Sequence, residues 1–367
     1  MLLIFRKVAA NWRSLSLFNL ILVILTLLDL INLFIITSFS LLLDNIFFPG
    51  YRKVKIEKPV FIIGHPRSGT TFLHRIFTGS NEIVTFKLWH LLFPSLTLRF
   101  FLRPLFQLLI RKTKAEIIAE EAGRHMTLDM AEEEEILFFH NLDTQFLTLT
   151  PLGFLDDNYR DLRFHDLQSR HRRIKSAKFL KSCFQRQIYY TGKTQIFAQM
   201  HYSTHRIKTL LEVFPDARLI YLDRTPYDTL PSLFSLIYYS LGKYKMFNKI
   251  SSSHFRQYFE YRYQASKDLY QYFHDIWNKA EIDKDKVLII PYDMLHDDLM
   301  RVFKDIVEFT GIKTNKDIDR AIEKQAKKQK QYKRKHKVKK LAEFGIDENR
   351  IKDDFSFYFQ NKGENYE

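Results

Sequence analysis

Apolar and polar positions divide the chain into one long apolar run, a series of short apolar strands separated by helical segments, and a basic tail. Leu15 to Leu43 is almost continuously apolar, long enough to cross a bilayer as a helix, and it follows Arg6, Lys7 and Arg13. Asn19, Thr26, Asp29 and Asn32 interrupt it, and their steps of seven and three residues put much of this polarity on one helical stripe. Three readings follow: a spanning helix with Asp29 facing a partner, an amphipathic helix or hairpin in the inner leaflet, or a soluble helix packed on the domain. For a cleaved signal peptide the stretch is too long and lacks a small-residue cleavage pattern. Arg52, Lys53, Lys55 and Lys58 follow it, so both flanks are basic and the positive-inside rule selects no orientation.

Beyond the turn Phe48-Pro49-Gly50-Tyr51, Lys58-Pro59 marks the start of a globular domain, because proline biases its predecessor toward extended structure. Val60 to Gly64, Thr194 to Ala198, Leu219 to Asp223 and Val287 to Tyr292 read as buried strands. Leu88 to Ile110 reads as apolar helix and turn, Glu116 to His140 as helix, and Phe164 to Tyr190 as a basic amphipathic helix. His205 to Val213 and Leu299 to Thr310, the latter ended by Gly311, are further helices. Glu132, Glu133, Glu134 and Glu135 read as a solvated helix face. Strands alternating with helices predict an α/β domain of three layers, a central parallel sheet with helices on both faces, plus an N-terminal apolar helix. The expected organisation is an apolar membrane-associated segment at 1–50, the α/β domain at 58–312 and a basic helical extension at 313–367.

Composition narrows the partners. A chain of 367 residues that is 46% hydrophobic can bury a sizeable core. The single cysteine, Cys183, excludes an intramolecular disulfide framework and a cysteine-rich metal site, and reads as a packed residue. A formal charge of +15 suits a protein that handles an anionic nucleotide or lies on an anionic membrane, and no nucleic-acid-binding motif accompanies it. Much of the charge sits in the tail, where Lys324 to Lys340 is rich in lysine and no acid occurs from Gln325 to Leu341.

The chemistry is concentrated where the first strand runs into Gly64-His-Pro-Arg67-Ser68-Gly69-Thr70-Thr71 and then a helix. Two glycines free the backbone to turn consecutive amides toward one anion at the helix N-terminus. The Gly64-x4-Gly69 spacing matches a nucleotide loop, but Thr70 stands where an ATP or GTP enzyme places lysine. The fixed charge is Arg67, whose planar guanidinium suits a phosphate or sulfate edge. A second element repeats the logic: the strand Leu219 to Asp223 delivers Arg224, and Ser232 follows eight residues later.

Together these stretches resemble the sulfotransferases that use 3′-phosphoadenosine 5′-phosphosulfate (PAPS), whose first motif is a strand followed by Pro-Arg/Lys-Ser-Gly-Thr-Thr. The resemblance implies that Arg67, Ser68, Gly69, Thr70 and Thr71 hold the 5′-phosphosulfate, that Arg224 and Ser232 hold the 3′-phosphate, and that no metal is required. It also implies a donor made in the cytosol, hence a catalytic domain on the cytoplasmic side in a bacterium or in the Golgi lumen of a eukaryote. Related bacterial sequences carry Trp-Glu where this chain has Trp89-His90, so His90 takes the position of a candidate base, with His140, Glu133 or Glu134 as substitutes. They also carry Lys-Ser-Pro where this chain has Gln199-Met200-His201; His201 or Arg206 would compensate for the lost lysine. The acceptor expected beside a membrane is a small molecule, lipid or glycan with a hydroxyl or amine. Two other readings stay open: a P-loop kinase or nucleotidase, with Asp223 imitating a magnesium-holding aspartate, and a catalytically impaired nucleotide-binding membrane protein.

Overall fold

The computed structural model describes residues 2–79, 82–112, 126–155, 157–242, 246–329 and 338–360. Helix α1 (Leu2–Asn11) leads into α2 (Leu17–Phe47), capped by the Ser16 hydroxyl, which accepts from the Asn19 amide at 3.3 Å. Strand β1 (Val60–Gly64) passes into α3 (Thr70–Thr78), β2 (Ile83–Val84), α4 (Leu88–Leu92) and α5 (Leu96–Lys112). Short 3₁₀ segments then precede α6 (Arg170–Thr191), β3 (Gln195–Gln199), α7 (Ile207–Val213), β4 (Arg218–Asp223), α8 (Pro226–Gly242) and α9 (Ser252–Asn278). The chain ends with β5 (Val287–Pro291), α10 (Met294–Asp297), α11 (Leu299–Thr310), α12 (Lys316–Gln329), α13 (Arg350–Asp354) and α14 (Ser356–Gln360).

The five strands form one parallel sheet in the order β2-β3-β1-β4-β5. Strand alternation sends Phe61 and Ile63 to one face, against Leu180 and Phe184 of α6, and Val60 and Ile62 to the other, against Leu73 and Phe77 of α3. Both faces are therefore buried, as a parallel sheet demands, and the α/β architecture expected from the alternation of elements is present. Chain order reverses about β1, so the loops after β1, β3, β4 and β5 open together at the C-terminal edge, where ligands of open α/β sheets bind.

Two expectations change. Residues 116–125 of the expected 116–140 helix lie outside the described residues; residues 126–133 form turns and a bridge to Lys87, Glu134–Asn141 is a 3₁₀ segment, and all four glutamates are buried, between 0% and 1% exposed. They are interior carboxylates and not a solvated face, because each meets a donor from another part of the chain. Beyond residue 312 the described helices pack on the domain. Ile318 and Ile322 of α12 join the β-sheet cluster, while Phe344, Ile351, Phe355 and Tyr358 pack with α8 and α9. Lys330, Lys333, Arg334, Lys335 and Lys337 of the basic run lie outside the described residues.

Helix α2 is one continuous helix, not a hairpin, and it lies along the domain with Asn19, Thr37, Ser40 and Asp44 buried. Asp44 is the anchor. Its carboxylate pairs with Arg186 at 2.6 Å and accepts from the Ser95 hydroxyl and from the Leu96 and Thr97 amides at 2.8 to 3.0 Å. The last two are orphan donors at the start of α5, so one side chain in the last turn of α2 caps α5 and neutralises a buried arginine. Asp29, which the spanning-helix reading alone places against a partner, is exposed, as is Asn32.

Candidate active site

The loop after β1 is shaped by backbone that other residues resist. Gly64 has φ 127°, and a Cβ there would sit 2.6 Å from the Leu222 carbonyl oxygen of the neighbouring strand. Gly69 has φ 92°, and a Cβ there would fall 2.8 Å from Leu295. Arg67 itself has φ 76°, a left-handed conformation unusual for a long side chain. The Ser68 hydroxyl donates to the His65 carbonyl at 2.6 Å and locks the turn, while the Gly64 amide donates to Thr204 Oγ1 at 3.1 Å. What remains is a concave backbone facing the first turn of α3, the geometry of an anion cradle.

Two arginines close over it. Arg224 Nη1 donates to the Arg67 carbonyl at 2.8 Å although 157 residues separate them, and Arg67 Nε donates to Ser232 Oγ at 3.0 Å. The Arg224 guanidinium lies 3.8 Å from the centre of the Tyr292 ring, and the Tyr270 hydroxyl donates to the Arg224 carbonyl at 2.6 Å. Thus Arg67, Ser68, Gly69, Thr70, Thr71, Arg224 and Ser232, read from two separate motifs, meet at one place. His65, beneath the loop, stacks on Tyr270 at 4.9 Å, and burial lowers its pKa to about 3, so it is a neutral prop.

The buried glutamates lie behind the same cradle. Gln199, at the end of β3, donates through Nε2 to Thr70 Oγ1, Thr71 Oγ1 and Glu133 Oε2 at 3.0 to 3.1 Å. His201 Nδ1 stands 3.0 Å from the same Glu133 oxygen. Glu134 accepts from the Gln199 amide at 2.7 Å and meets His74 Nε2 at 3.3 Å; Glu132 receives Arg75 at 3.0 Å; Glu135 accepts from the Ser203 amide and hydroxyl at 3.0 and 2.7 Å. Burial raises the pKa of Glu135, the usual response of a carboxyl removed from water. His201 was considered in the sequence only as a substitute for lysine, and its pairing with Glu133 is invisible there because 68 positions separate them.

The two histidines named first from the sequence are elsewhere. His90 Nδ1 accepts from the Lys87 amide at 3.2 Å and lies 3.1 Å from Gln187 Nε2, with the ring edge-on to Trp89 and Tyr190. Burial first, then the charges of Arg99 and Lys87, lower its pKa to about 2, which leaves a weak base. His140 has both ring nitrogens engaged: Nε2 donates to the Leu91 carbonyl at 2.8 Å, and Nδ1 is 2.9 Å from the Thr37 hydroxyl of α2. Burial lowers its pKa to about 4. Neither makes a described contact with the loop. Arg206 is also remote, held by Asp143 at 2.9 Å and stacked on Phe138 at 3.9 Å.

Beside the loop a cavity of about 660 Å³ opens between α3 and α12, lined by Gly69, Thr71, Phe72, Tyr292, Leu295 and Ile318. On the other side a narrow crevice is lined by His65, Tyr202, Leu233, Arg262 and Tyr159. Tyr159 belongs to the apolar cluster on which Val23 and Leu30 of α2 pack. Asp223, the residue that imitates a magnesium ligand, is buried and lies 3.2 Å from the Tyr358 hydroxyl. Among the described residues no group of three or more His, Cys, Asp or Glu is arranged to hold a metal.

A parallel sheet with a lysine-free anion loop and a second arginine just past the end of the adjacent strand defines a class, and comparison with known proteins gives that class its name. The profile of the Sulfotransferase family matches residues 59–316, and the chain belongs to that family. It is 27% identical over 186 residues to the omega-hydroxy-beta-dihydromenaquinone-9 sulfotransferase Stf3 of Mycobacterium bovis, and equally to that of Mycobacterium tuberculosis. That match covers 49% of this chain and 45% of the relative, so the chain spans about half the length of the curated relatives it matches. Among solved structures, sulfotransferase STF9 of Mycobacterium avium superposes with a TM-score of 0.74 at 16% identity, covering 98% of this chain and 89% of that one. Sulfotransferase STF1 of Mycobacterium tuberculosis gives 0.69 at 16% identity, over 94% and 87%. The fold is theirs.

Proposed function

We propose that the chain transfers the sulfuryl group of PAPS to a hydroxyl of an amphiphilic acceptor, from a catalytic domain on the side of the membrane where the donor is made. The observation that carries this reading is the convergence of Arg67, Arg224 and Ser232 around a glycine-shaped loop that lacks the lysine of ATP and GTP enzymes. Arg67, the amides from Ser68 to Thr71 and the two threonine hydroxyls suit a 5′-phosphosulfate, and Arg224 with Ser232 suits a 3′-phosphate. The roomy, partly apolar cavity beside Thr71 and Tyr292 is the natural place for the nucleoside.

For transfer, the acceptor oxygen attacks sulfur in line while the sulfur–oxygen bond to the phosphate breaks, and the arginines stabilise the charge that develops on the leaving bisphosphate. The acceptor proton goes to His201 Nε2. Glu133, whose carboxylate stands 3.0 Å from His201 Nδ1, stabilises the imidazolium by its charge. Gln199 ties Glu133 to Thr70 and Thr71, so the carboxylate beside the base and the cradle share one hydrogen-bond network. A lipid acceptor is favoured by the apolar surface of α2 and by the activity in the name of the mycobacterial relative, which acts on a menaquinone derivative.

The test is calorimetric titration with adenosine 3′,5′-bisphosphate in EDTA, followed by transfer from labelled donor to hydroxylated lipids. Micromolar binding without metal, lost in Arg67→Ala and Arg224→Ala, is expected. Magnesium-dependent ATP binding with no response to the bisphosphate would overturn the reading in favour of a kinase, and tight donor binding with no turnover on any acceptor would leave a binding protein.

A further inference from the structure

Helix α2 is built inside out. A water-soluble surface helix turns its apolar stripe to the core and its polar stripe to solvent. Here Asn19, Thr37, Ser40 and Asp44 are buried and Thr26 is half-buried, all on one stripe facing the protein, while thirteen large apolar side chains of the same helix are exposed. Ile21, Leu28, Ile35 and Ile46 are 48%, 50%, 57% and 67% exposed along that outer face. Neighbouring α5 adds Phe100 and Phe101, 69% and 70% exposed, with Leu105 and Leu108. Over a helix about 46 Å long at 1.5 Å per residue, this is far more contiguous apolar surface than a monomer leaves in water. Its borders are basic: Arg6, Arg13, Arg52, Lys53 and Arg103 are exposed, and Asp29 is the exposed acid of α2. Trp12, at one end and 45% exposed, is a residue of headgroup depth.

We propose that α2 and α5 form a platform lying in the plane of an anionic phospholipid bilayer, with their outer faces at the acyl boundary and the basic border among the headgroups. The helix is held to the domain over its whole length, near Lys249 by Asn19, at His140 by Thr37 and at Arg186 by Asp44. A bilayer crossing would strip it from these partners and leave Asp44 and Arg186 as unpaired buried charges. A second copy of the chain fits the face poorly, because apposed faces bring two basic borders together in a protein of charge +15. The inference stands on these two helices alone and does not depend on the sulfotransferase reading.

The full chain, without donor, is floated with vesicles of phosphatidylcholine with and without phosphatidylglycerol. Flotation is expected with the anionic vesicles and weakens with salt. The triple variant Ile21→Glu, Leu28→Glu, Ile35→Glu leaves the inward stripe intact; its partitioning falls about tenfold or more, while bisphosphate affinity, read separately, stays unchanged. Nitroxides on Leu28→Cys, Ile35→Cys and Ile46→Cys then report depth, since the buried Cys183 stays unlabelled. Equal depth at the three sites supports the platform, whereas a gradient of about 27 Å over 18 residues would overturn it in favour of a spanning helix. Wild-type protein that stays in solution with the vesicles, or a dimer that the triple variant dissociates, would also overturn it.

Discussion

The four glutamates at 132–135 and the helix at 17–47 break the rule of polar outside and apolar inside in opposite directions. The glutamates are acidic side chains placed in the interior, and the helix is an apolar segment with much of its surface outside. The glutamates are tolerated because each faces a dedicated donor: Arg75, Gln199, His74 or Ser203. The inward side of the helix obeys the same requirement through Asp44 and Arg186. The comparison teaches that buried polarity in this chain is a matter of assigned partners, and that composition of a segment does not fix its side.

Replacing one glutamate that serves chemistry is the strongest way to separate the two regions. Glu133→Gln and His201→Gln are expected to lower kcat by about 10²- to 10⁴-fold with bisphosphate binding retained; an unchanged rate would reduce the cluster to packing. Next in size, Asp44→Ala should destabilise the fold by about 3–5 kcal/mol in denaturant melts, because it strands Arg186 and uncaps α5; a loss below about 1 kcal/mol would mean that water reaches the pair. Arg224→Ala should weaken bisphosphate binding about 10- to 100-fold, as expected for charge-assisted hydrogen bonds to one phosphate. Weakening that spares the 3′-dephosphorylated nucleotide would pin the contact to the 3′-phosphate.

The smallest effect, counted per histidine and per pH unit, concerns protons. His65 and His140 have folded pKa values of about 3 and about 4, below the ordinary 6.5, so the unfolded chain binds more protons between those limits. Stability is therefore expected to fall as pH drops from about 6.5 toward 4, by about 1 kcal/mol per pH unit for each such histidine. Thermal melts across this window check the sign, and His140→Gln should flatten the slope.

The strand, the glycine loop and the Arg224 to Ser232 spacing were legible because their information is local: a few residues determine a turn and a helix start. The placement of the glutamates was not, since their donors are 57 to 68 positions away and no periodicity announces them. His90 and His140 look like candidate bases in isolation; only packing against Gln187 and Thr37 reveals their occupation. For α2 the seven-residue spacing found in the sequence selected a stripe correctly in part, at Asn19 and Thr26. Continuing it by seven and eleven through Thr37 to Asp44 marks the inward side, with Asp29 and Asn32 falling outside it.

Asp44 has a mechanical consequence. Because one carboxylate in the last turn of α2 caps α5 and clamps α6 through Arg186, the two outward helices and the sheet-covering helix are joined at one point. On a docked enzyme the height of the anion loop above the headgroups is then a constant of the fold. The protein would behave as a ruler, reading how far an acceptor's hydroxyl projects from the bilayer before it reads the acceptor's chemistry.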